Sequence, residues 1–244
     1  MAPDQPDRAV PSRMPVRSET ANSETANSET ANNKGADGEA AASGTGGAVV
    51  APPSVPTSQP ASPDPAAVEA AMRRWVERAV IGLNLCPFAK AVWVKGQVRI
   101  AVSRARHLDG FLDDLDAELL RLRDTPAAVL DTTLLVHPTL FPDFFVFNDF
   151  LDVVDRVVAE HGLEGVIQVA PFHPDFVFEG SAADDIANAT SRAPYPTLHL
   201  LREDSVARAV ASGESAETIV ERNIATLRAL GPQGWRHLLQ DDRG

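Results

Sequence analysis

Two histidines occupy matching positions, each directly after an apolar run that predicts a β-strand. His137 follows Leu135-Val136 and His173 follows Pro171-Phe172, and a proline comes next in both cases. A following proline favours extended backbone, which would project each side chain beyond the end of its strand. If the strands are parallel neighbours, both imidazoles lie at the carboxyl edge of the sheet, where α/β proteins bind ligands. The pair fits acid–base catalysis, metal binding, or two loop histidines bonded to nearby backbone.

Two further residues could complete such a site. Asp175, two residues beyond His173, could orient an imidazole or join it as a metal ligand. His137, His173 and His199 are the three imidazoles that the sequence offers to a divalent metal, although no short spacing such as His-x-x-x-His marks them as ligands. His199 alternates with leucines on a predicted strand, a pattern that also fits a core histidine with satisfied hydrogen bonds.

Cys86 is the single cysteine of the chain and a candidate nucleophile. The thiol would need to be partly ionised, and Pro87 could start a short helix that places Cys86 at its favourable N-terminal end. A pairing with His173 would then resemble a cysteine hydrolase. The alternative is a buried, small apolar side chain. One cysteine excludes an intramolecular disulfide and a multi-cysteine zinc module, and it indicates a reducing compartment.

The segment 180–196 is polar and rich in turn-forming residues, which suggests a binding loop. Its arginine is flanked by small residues and suits a clamp on a carboxylate or phosphate; the alternative is a surface arginine that satisfies loop carbonyls. The candidate substrate-binding residues are Arg192, Ser191, Asn188 and Lys90. Neither Gly-x-Gly-x-x-Gly nor Gly-x-x-x-x-Gly-Lys occurs, which disfavours nucleotide binding through those loops.

The charge and composition limit the partners of the chain. A net charge of −12 over 244 residues predicts repulsion from phosphate backbones, so nucleic acid and anionic membranes are excluded as expected partners. No apolar run approaches the roughly 20 residues that span a bilayer. Together with the single cysteine, these features predict a cytoplasmic protein.

The chain divides into two regions of different composition. Residues 1–65 contain no aromatic residue, a proline-rich spacer and three tandem copies of Ser-Glu-Thr-Ala-Asn at 18–32. Such a region cannot bury enough apolar surface to offset the entropy of ordering it, so we predict a disordered, low-complexity tail. Residues 66–244 are long enough to form a single domain with its own core.

Hydrophobic periodicity predicts alternating helices and strands in this domain. Helices are predicted from the Asp64-Pro65 cap to Gly82, from an Asp109 cap to Thr125, and over 142–161, 204–211 and 216–230; strands are predicted at 98–102, 129–136, 166–172 and 197–201. This order predicts an α/β fold with a small, mostly parallel or mixed sheet of about four to five strands flanked by helices.

Five segments carry a family resemblance: Trp75–Lys90, Asn148–Asp152, Phe172–Asp175, Ser191–Glu203 and Glu221–Leu227. They resemble an uncharacterised bacterial family catalogued as domain of unknown function 1415. The resemblance covers roughly residues 66–239 and omits the tail. It implies membership of that family and carries no activity, cofactor or catalytic residue with it.

These observations favour an enzyme that acts on a small anionic molecule. In that hypothesis His173 and His137 perform acid–base chemistry or hold a divalent metal, Asp175 orients one of them, and Arg192 binds the anion. The alternative is a non-catalytic module that binds a metabolite or a protein, with structural histidines. A further alternative is a hydrolase or redox protein that depends on Cys86.

Overall fold

A computed structural model describes residues 63–211 and 215–240 of the chain. The predicted tail lies, up to residue 62, outside the described residues, and so do its tandem repeats. The described part has the predicted α/β fold, with a four-stranded sheet flanked by helices. None of the helices in these ranges is both long enough and apolar enough to cross a bilayer.

The sheet is mixed and contains an inserted antiparallel strand. The strands are β1 (Val98–Val102), β2 (Thr132–Val136), β3 (Ile167–Phe172) and β4 (Thr197–Arg202). Their order is β1-β2-β4-β3. β1 and β2 are parallel, whereas β4 runs antiparallel to both of its neighbours. The predicted fold class is therefore confirmed. β2 and β3 run in the same direction, so His137 and His173 follow the same edge of the sheet, but β4 separates the two strands and they are not neighbours.

Helices flank this sheet and follow the predicted order. They are α1 (Pro65–Trp75), α2 (Ala89–Val94), α3 (Leu108–Asp124), α4 (Phe144–Glu160), α5 (Glu203–Ala211) and α6 (Ala216–Leu239). A π-helical segment (Val76–Ile81) continues α1, and a short 3₁₀ helix (Ile186–Ser191) precedes β4. α6 is kinked at Gly231, where φ is 69°, and Pro232 follows.

Polar caps explain where several of these helices begin. Asp64, Asp143 and Ser215 each accept a hydrogen bond from a backbone N–H of the first turn that follows. The predicted Asp109 cap of α3 is wrong: His107 holds the cap position without a side-chain bond. Asp109 lies inside the first turn, where its carboxylate still complements the positive end of the helix dipole.

The strand pleat divides the buried side chains into two cores. The odd-numbered residues of β2 and β3 and the even-numbered residues of β4 face α3 and α4, and we name this side the α3–α4 face. Its core includes Phe111, Leu119, Leu135, Phe147, Leu198 and Leu200. The opposite side, the cavity face, meets α1, the π-helical segment and α6. Its core includes Met72, Trp75, Leu134, Val136, Leu227 and Trp235.

A charged pair ties β1 to α3. Arg99 lies on the α3–α4 face and reaches Glu118 through two hydrogen bonds, Nε to Oε2 at 2.7 Å and Nη2 to Oε1 at 3.0 Å. Glu118 is buried, so both carboxylate oxygens need partners. Arg121, one turn along α3, adds a longer contact of 3.5 Å. This pair directs Arg99 away from the cavity face.

The end of the first helix is wider than an α-helix. The Gly82 N–H donates to Glu77 O at 3.0 Å and the Leu85 N–H donates to Val80 O at 2.9 Å, both with the five-residue spacing of a π-helix. The chain then turns at Gly82 into the loop that precedes α2. A Cβ added to Gly82 would lie 2.3 Å from the carbonyl oxygen of Arg78. Only glycine fits this turn without a backbone shift.

We expect Gly82→Ala to lower the free energy of unfolding by about 1–3 kcal/mol, because the new methyl group overlaps backbone atoms that cannot move independently. Gly110→Ala in α3 is the matched control, since its Cβ would be 3.4 Å from the nearest atom outside the helix. That substitution should be neutral or stabilising because alanine favours helix. Chemical denaturation of the two variants measures both effects, and equal stability would contradict the steric argument.

Candidate functional site

A cavity of about 750 Å³ lies against the cavity face of the sheet. Its floor is formed by side chains of β2, β4 and β3: Thr132, Leu134, His199, Leu201, Gln168, Ala170 and Phe172. Strand register arranges them in rows. Leu134, His199 and Ala170 pair across three strands, and the next row begins with Thr132. We name this space the sheet cavity.

The sheet cavity has an apolar end. Trp75, Val76 and Val80 form its wall there, supplied by α1 and the π-helical segment. The Trp75 ring packs edge-on against Phe172, with 5.1 Å between ring centroids. Phe172 in turn lies 5.9 Å from the His199 ring. A row of aromatic rings therefore runs from the wall to the floor.

The opposite end of the sheet cavity is polar. The Ser205 hydroxyl donates to Asp131 Oδ1 at 2.7 Å, and Arg208 Nη2 donates to Ser205 Oγ at 2.9 Å. Lys95 also lines this end. Both cations are exposed, so the rim is open to solvent. Among the described residues that line this end, Lys95 and Arg208 are the cations and Asp131 is the carboxylate, in a chain that is acidic as a whole.

The loop between the π-helical segment and α2 completes the wall and carries Cys86. α6 anchors it: Asn223 Nδ2 donates to Leu85 O at 2.8 Å and Arg222 Nη2 donates to Asn84 O at 2.9 Å. Burial raises the pKa of the Cys86 thiol, although the Phe88 N–H and other nearby groups oppose that shift. The thiol is therefore protonated at neutral pH and lacks the activation that a nucleophile needs.

His199 is the titratable residue in the cavity floor. Its Nε2 lies 2.8 Å from Thr132 Oγ1, which itself donates to Leu200 O at 2.6 Å. Desolvation lowers the pKa of the imidazole from 6.5 to about 4, so the ring is neutral at physiological pH. A neutral ring keeps one nitrogen as an acceptor.

His137 and His173 lie instead on the α3–α4 face, each 1% exposed. His137 Nε2 donates to Ala105 O at 2.9 Å, and its Nδ1 accepts the backbone N–H of Leu140 at 2.8 Å. His173 Nε2 donates to Phe141 O at 2.9 Å, and its Nδ1 accepts the N–H of Asp175 at 3.0 Å. Backbone groups thus bind both nitrogens of each ring, and desolvation lowers the pKa of both.

The structure does not assemble the predicted metal or catalytic groups. Asp175 orients His173, but it does so through its backbone N–H rather than its carboxylate. His199 lies on the opposite face of the sheet from the other two histidines. Within residues 63–211 and 215–240 no three His, Cys, Asp or Glu side chains converge as metal ligands. His173 packs against Phe144 and Phe147 of α4, on the face opposite to the cavity that Cys86 lines.

The predicted anion-binding residues bind the loop itself. Arg192 Nε donates to Phe176 O at 3.1 Å and Nη2 donates to Ala183 O at 2.7 Å. Asn188 is fully buried and bonds both Phe178 N and Ala182 O. Ser191 O accepts the N–H of His173, and Lys90 is exposed on α2 outside the cavity lining. Three of these residues therefore lie together at the end of the 3₁₀ helix, Lys90 lies on α2, and none of the four lines the sheet cavity.

Of the predicted site residues, Cys86 and His199 line the sheet cavity. The cavity residues that the sequence reasoning did not identify include Trp75, Thr132, Gln168, Phe172, Ser205 and Arg208. The alternation within β2 and β3 could have placed some of them on one face. Their approach to one another depends on the position of β4, for which the sequence carries no local signal.

A comparison with known protein families finds a match, and the matched range includes the segments that form this cavity. A model of the family described as "Protein of unknown function (DUF1415)" matches residues 67–237, well over half of the chain. The chain belongs to this family. No curated protein and no solved structure matches it. Two segments of the family resemblance meet here, because Arg222 and Asn223 of one hold the loop of the other.

We expect the folded chain to lose stability as the pH falls from 7.5 to 5.0. The folded pKa of His199, about 4, lies below its ordinary 6.5, so the unfolded chain takes up the proton first. Its stabilisation is complete above about pH 6.5 and is lost as the pH falls towards 4, with about 2 kcal/mol lost by pH 5. The lowered pKa values of His137 and His173 act in the same direction.

Guanidinium denaturation at the two pH values measures this loss. His199→Phe should remove about 2 kcal/mol of the pH-dependent change, whereas His237→Phe at an exposed position should leave it intact. An unchanged pH dependence in His199→Phe would show that this ring does not titrate as a buried group.

Proposed function

We propose that this chain binds a small, mostly apolar molecule in the sheet cavity, with an acidic group of that molecule at the rim. The observation that carries the proposal is a cavity of about 750 Å³ with aromatic side chains at one end and Lys95, Asp131, Ser205 and Arg208 at the other. Small-molecule sites have volumes of about 300–1,000 Å³ and combine an apolar lining with a few polar groups. This is the metabolite-binding alternative of the sequence hypotheses.

The apolar end supports the body of such a ligand. Trp75 and Phe172 offer ring surfaces, and Val76 and Val80 extend the wall towards the loop that carries Cys86. Burial of an apolar ligand here would be favoured by about 25 cal/mol per Å² of apolar surface removed from water. The aromatic rings are already packed against one another, so little ordering of the protein accompanies binding.

The rim supports an acidic group. Lys95 and Arg208 lie at the exposed end of the sheet cavity. The carboxylate of Asp131 could compete with a ligand for these cations, but its Oδ1 already accepts a hydrogen bond from Ser205. An anionic group would remain partly hydrated there, which avoids the desolvation penalty that the apolar end would impose. The proposal therefore retains the anionic ligand expected from the sequence, but Lys95 and Arg208 replace Arg192 as the residues that bind its acidic group.

The catalytic alternatives receive less support from the geometry. Acid–base chemistry at His137 or His173 would require a ring to release backbone hydrogen bonds in a buried site. Chemistry at Cys86 would begin from a thiol whose pKa is raised by burial. Both roles stay predictions. We also propose that the protein is bacterial and cytoplasmic, which rests on the family resemblance, the acidic composition and the single cysteine.

Two fluorescent probes test the binding proposal on the full chain. They are 1-anilinonaphthalene-8-sulfonate and its neutral parent N-phenyl-1-naphthylamine, which differ only in the sulfonate. Both should bind, and Ala209→Trp should abolish binding because the indole fills the sheet cavity from α5. Ala207→Trp, an exposed position on the same helix, should leave binding intact. Equal binding to both variants, each shown to be folded by circular dichroism, would refute the site.

The rim is tested by a charge-removing double variant. Lys95→Gln with Arg208→Gln should weaken the sulfonate probe about threefold to tenfold, because two rim cations are lost. The neutral probe should bind as before. If both probes weaken equally, the rim does not select an acidic group and the anionic part of the proposal fails.

A further inference from the structure

The hydroxyl of Thr132 determines which nitrogen of His199 carries hydrogen. Thr132 Oγ1 lies 2.6 Å from Leu200 O and 2.8 Å from His199 Nε2. A hydroxyl has one hydrogen, and a carbonyl oxygen can only accept, so the hydrogen of Thr132 is directed to Leu200 O. Thr132 Oγ1 must then accept from the ring. His199 Nε2 therefore carries the ring hydrogen.

The other nitrogen of this ring is left as an acceptor. A neutral imidazole has a single N–H, so Nδ1 of His199 keeps a lone pair. Within the described ranges 63–211 and 215–240, the ring makes no hydrogen bond besides the one to Thr132. His137 and His173 have the same tautomer, but backbone N–H groups occupy their Nδ1 atoms. His199 alone of these three lines the sheet cavity.

We propose that His199 selects the ligand of the sheet cavity by accepting a hydrogen bond at Nδ1 from a neutral O–H or N–H on an aromatic body. This inference rests on the proposed function, because it names the chemical class that the same cavity binds. The ring of such a ligand would extend the aromatic row of Trp75 and Phe172.

The geometry also rejects two kinds of ligand group at this position. A carboxylate or an ether oxygen over Nδ1 would place a lone pair against a lone pair, without a hydrogen between them. The acidic group of the ligand is therefore directed away from His199 and towards Lys95 and Arg208 at the rim. Gln168 lies one row from His199 in the floor and offers an amide to a second polar atom of the ligand. The ligand class is thus an aromatic alcohol or aromatic N–H compound with an acidic substituent at its far end.

A matched pair of probes measures this selectivity. 2-Naphthol and 2-methoxynaphthalene have the same ring system, but only the first can donate a hydrogen bond. Calorimetric titration of the full chain should show 2-naphthol binding about threefold to tenfold more tightly, the ratio that one net hydrogen bond supplies. In His199→Phe this preference should disappear while both probes still bind.

Two adjacent threonines provide the matched variants. Thr132→Val removes the acceptor that fixes Nε2–H, so the ring is free to adopt the other tautomer and the preference for 2-naphthol should fall. Thr133 points to the opposite face, and its buried hydroxyl has no hydrogen-bond partner in the described part of the chain. Thr133→Val should therefore retain the full preference, and thermal unfolding confirms that both variants fold.

Nitrogen-15 NMR of labelled histidine separates the two proposals. It should report Nε2 as protonated and Nδ1 as unprotonated for His199 in the ligand-free chain, and a mixture in Thr132→Val. A protonated Nδ1, or equal affinity for the two naphthalene probes, overturns the donor selectivity while cavity binding stands. If no aromatic probe binds at all, the proposed function fails, and the selectivity that rests on it fails too.

Discussion

The insertion of β4 between β2 and β3 is the constraint on which the rest of this structure depends. β4 pairs with both neighbours, and its alternate side chains lie on the two faces of the sheet beside those of β2 and β3. On one face it contributes Leu198 and Leu200 to the core beneath α3 and α4. On the other it places His199 beside Thr132 and forms the middle of the cavity floor. One strand thus completes a core and a candidate site at the same time.

The sequence predicts the elements of this fold better than their arrangement. The four strands lie where alternating or continuous apolar runs place them, and the caps at Asp64, Asp143 and Ser215 are physical signals that act within one turn. Strand order is set by packing between distant segments, so local periodicity does not determine it. The cavity follows from that order, which explains why reasoning from the sequence found Cys86 and His199 but not their neighbours.

His137 and His173 illustrate why a matching sequence pattern need not indicate shared chemistry. His137 and His173 each precede a proline, and in both cases Nδ1 accepts the N–H of the residue two positions on. The repeated context therefore produces a repeated turn, which ends β2 and β3 in the same way. A residue type suited to catalysis is equally suited to satisfying buried backbone groups. The local sequence is the same for both roles, and only the surroundings distinguish them.

The π-helical segment after α1 has a consequence for how the cavity can vary among related chains. Its hydrogen bonds join residues five apart, whereas those of an α-helix join residues four apart, so each of these turns contains one additional residue. Deleting a single residue there would restore the tighter helix and rotate everything that follows by about 100° around the helix axis. Val80 of the wall and the loop beyond it would move together, whereas Trp75, which precedes the segment, would keep its place in α1. A one-residue change in the length of this helix would thus alter part of the wall of the sheet cavity without any change in the strands that form its floor.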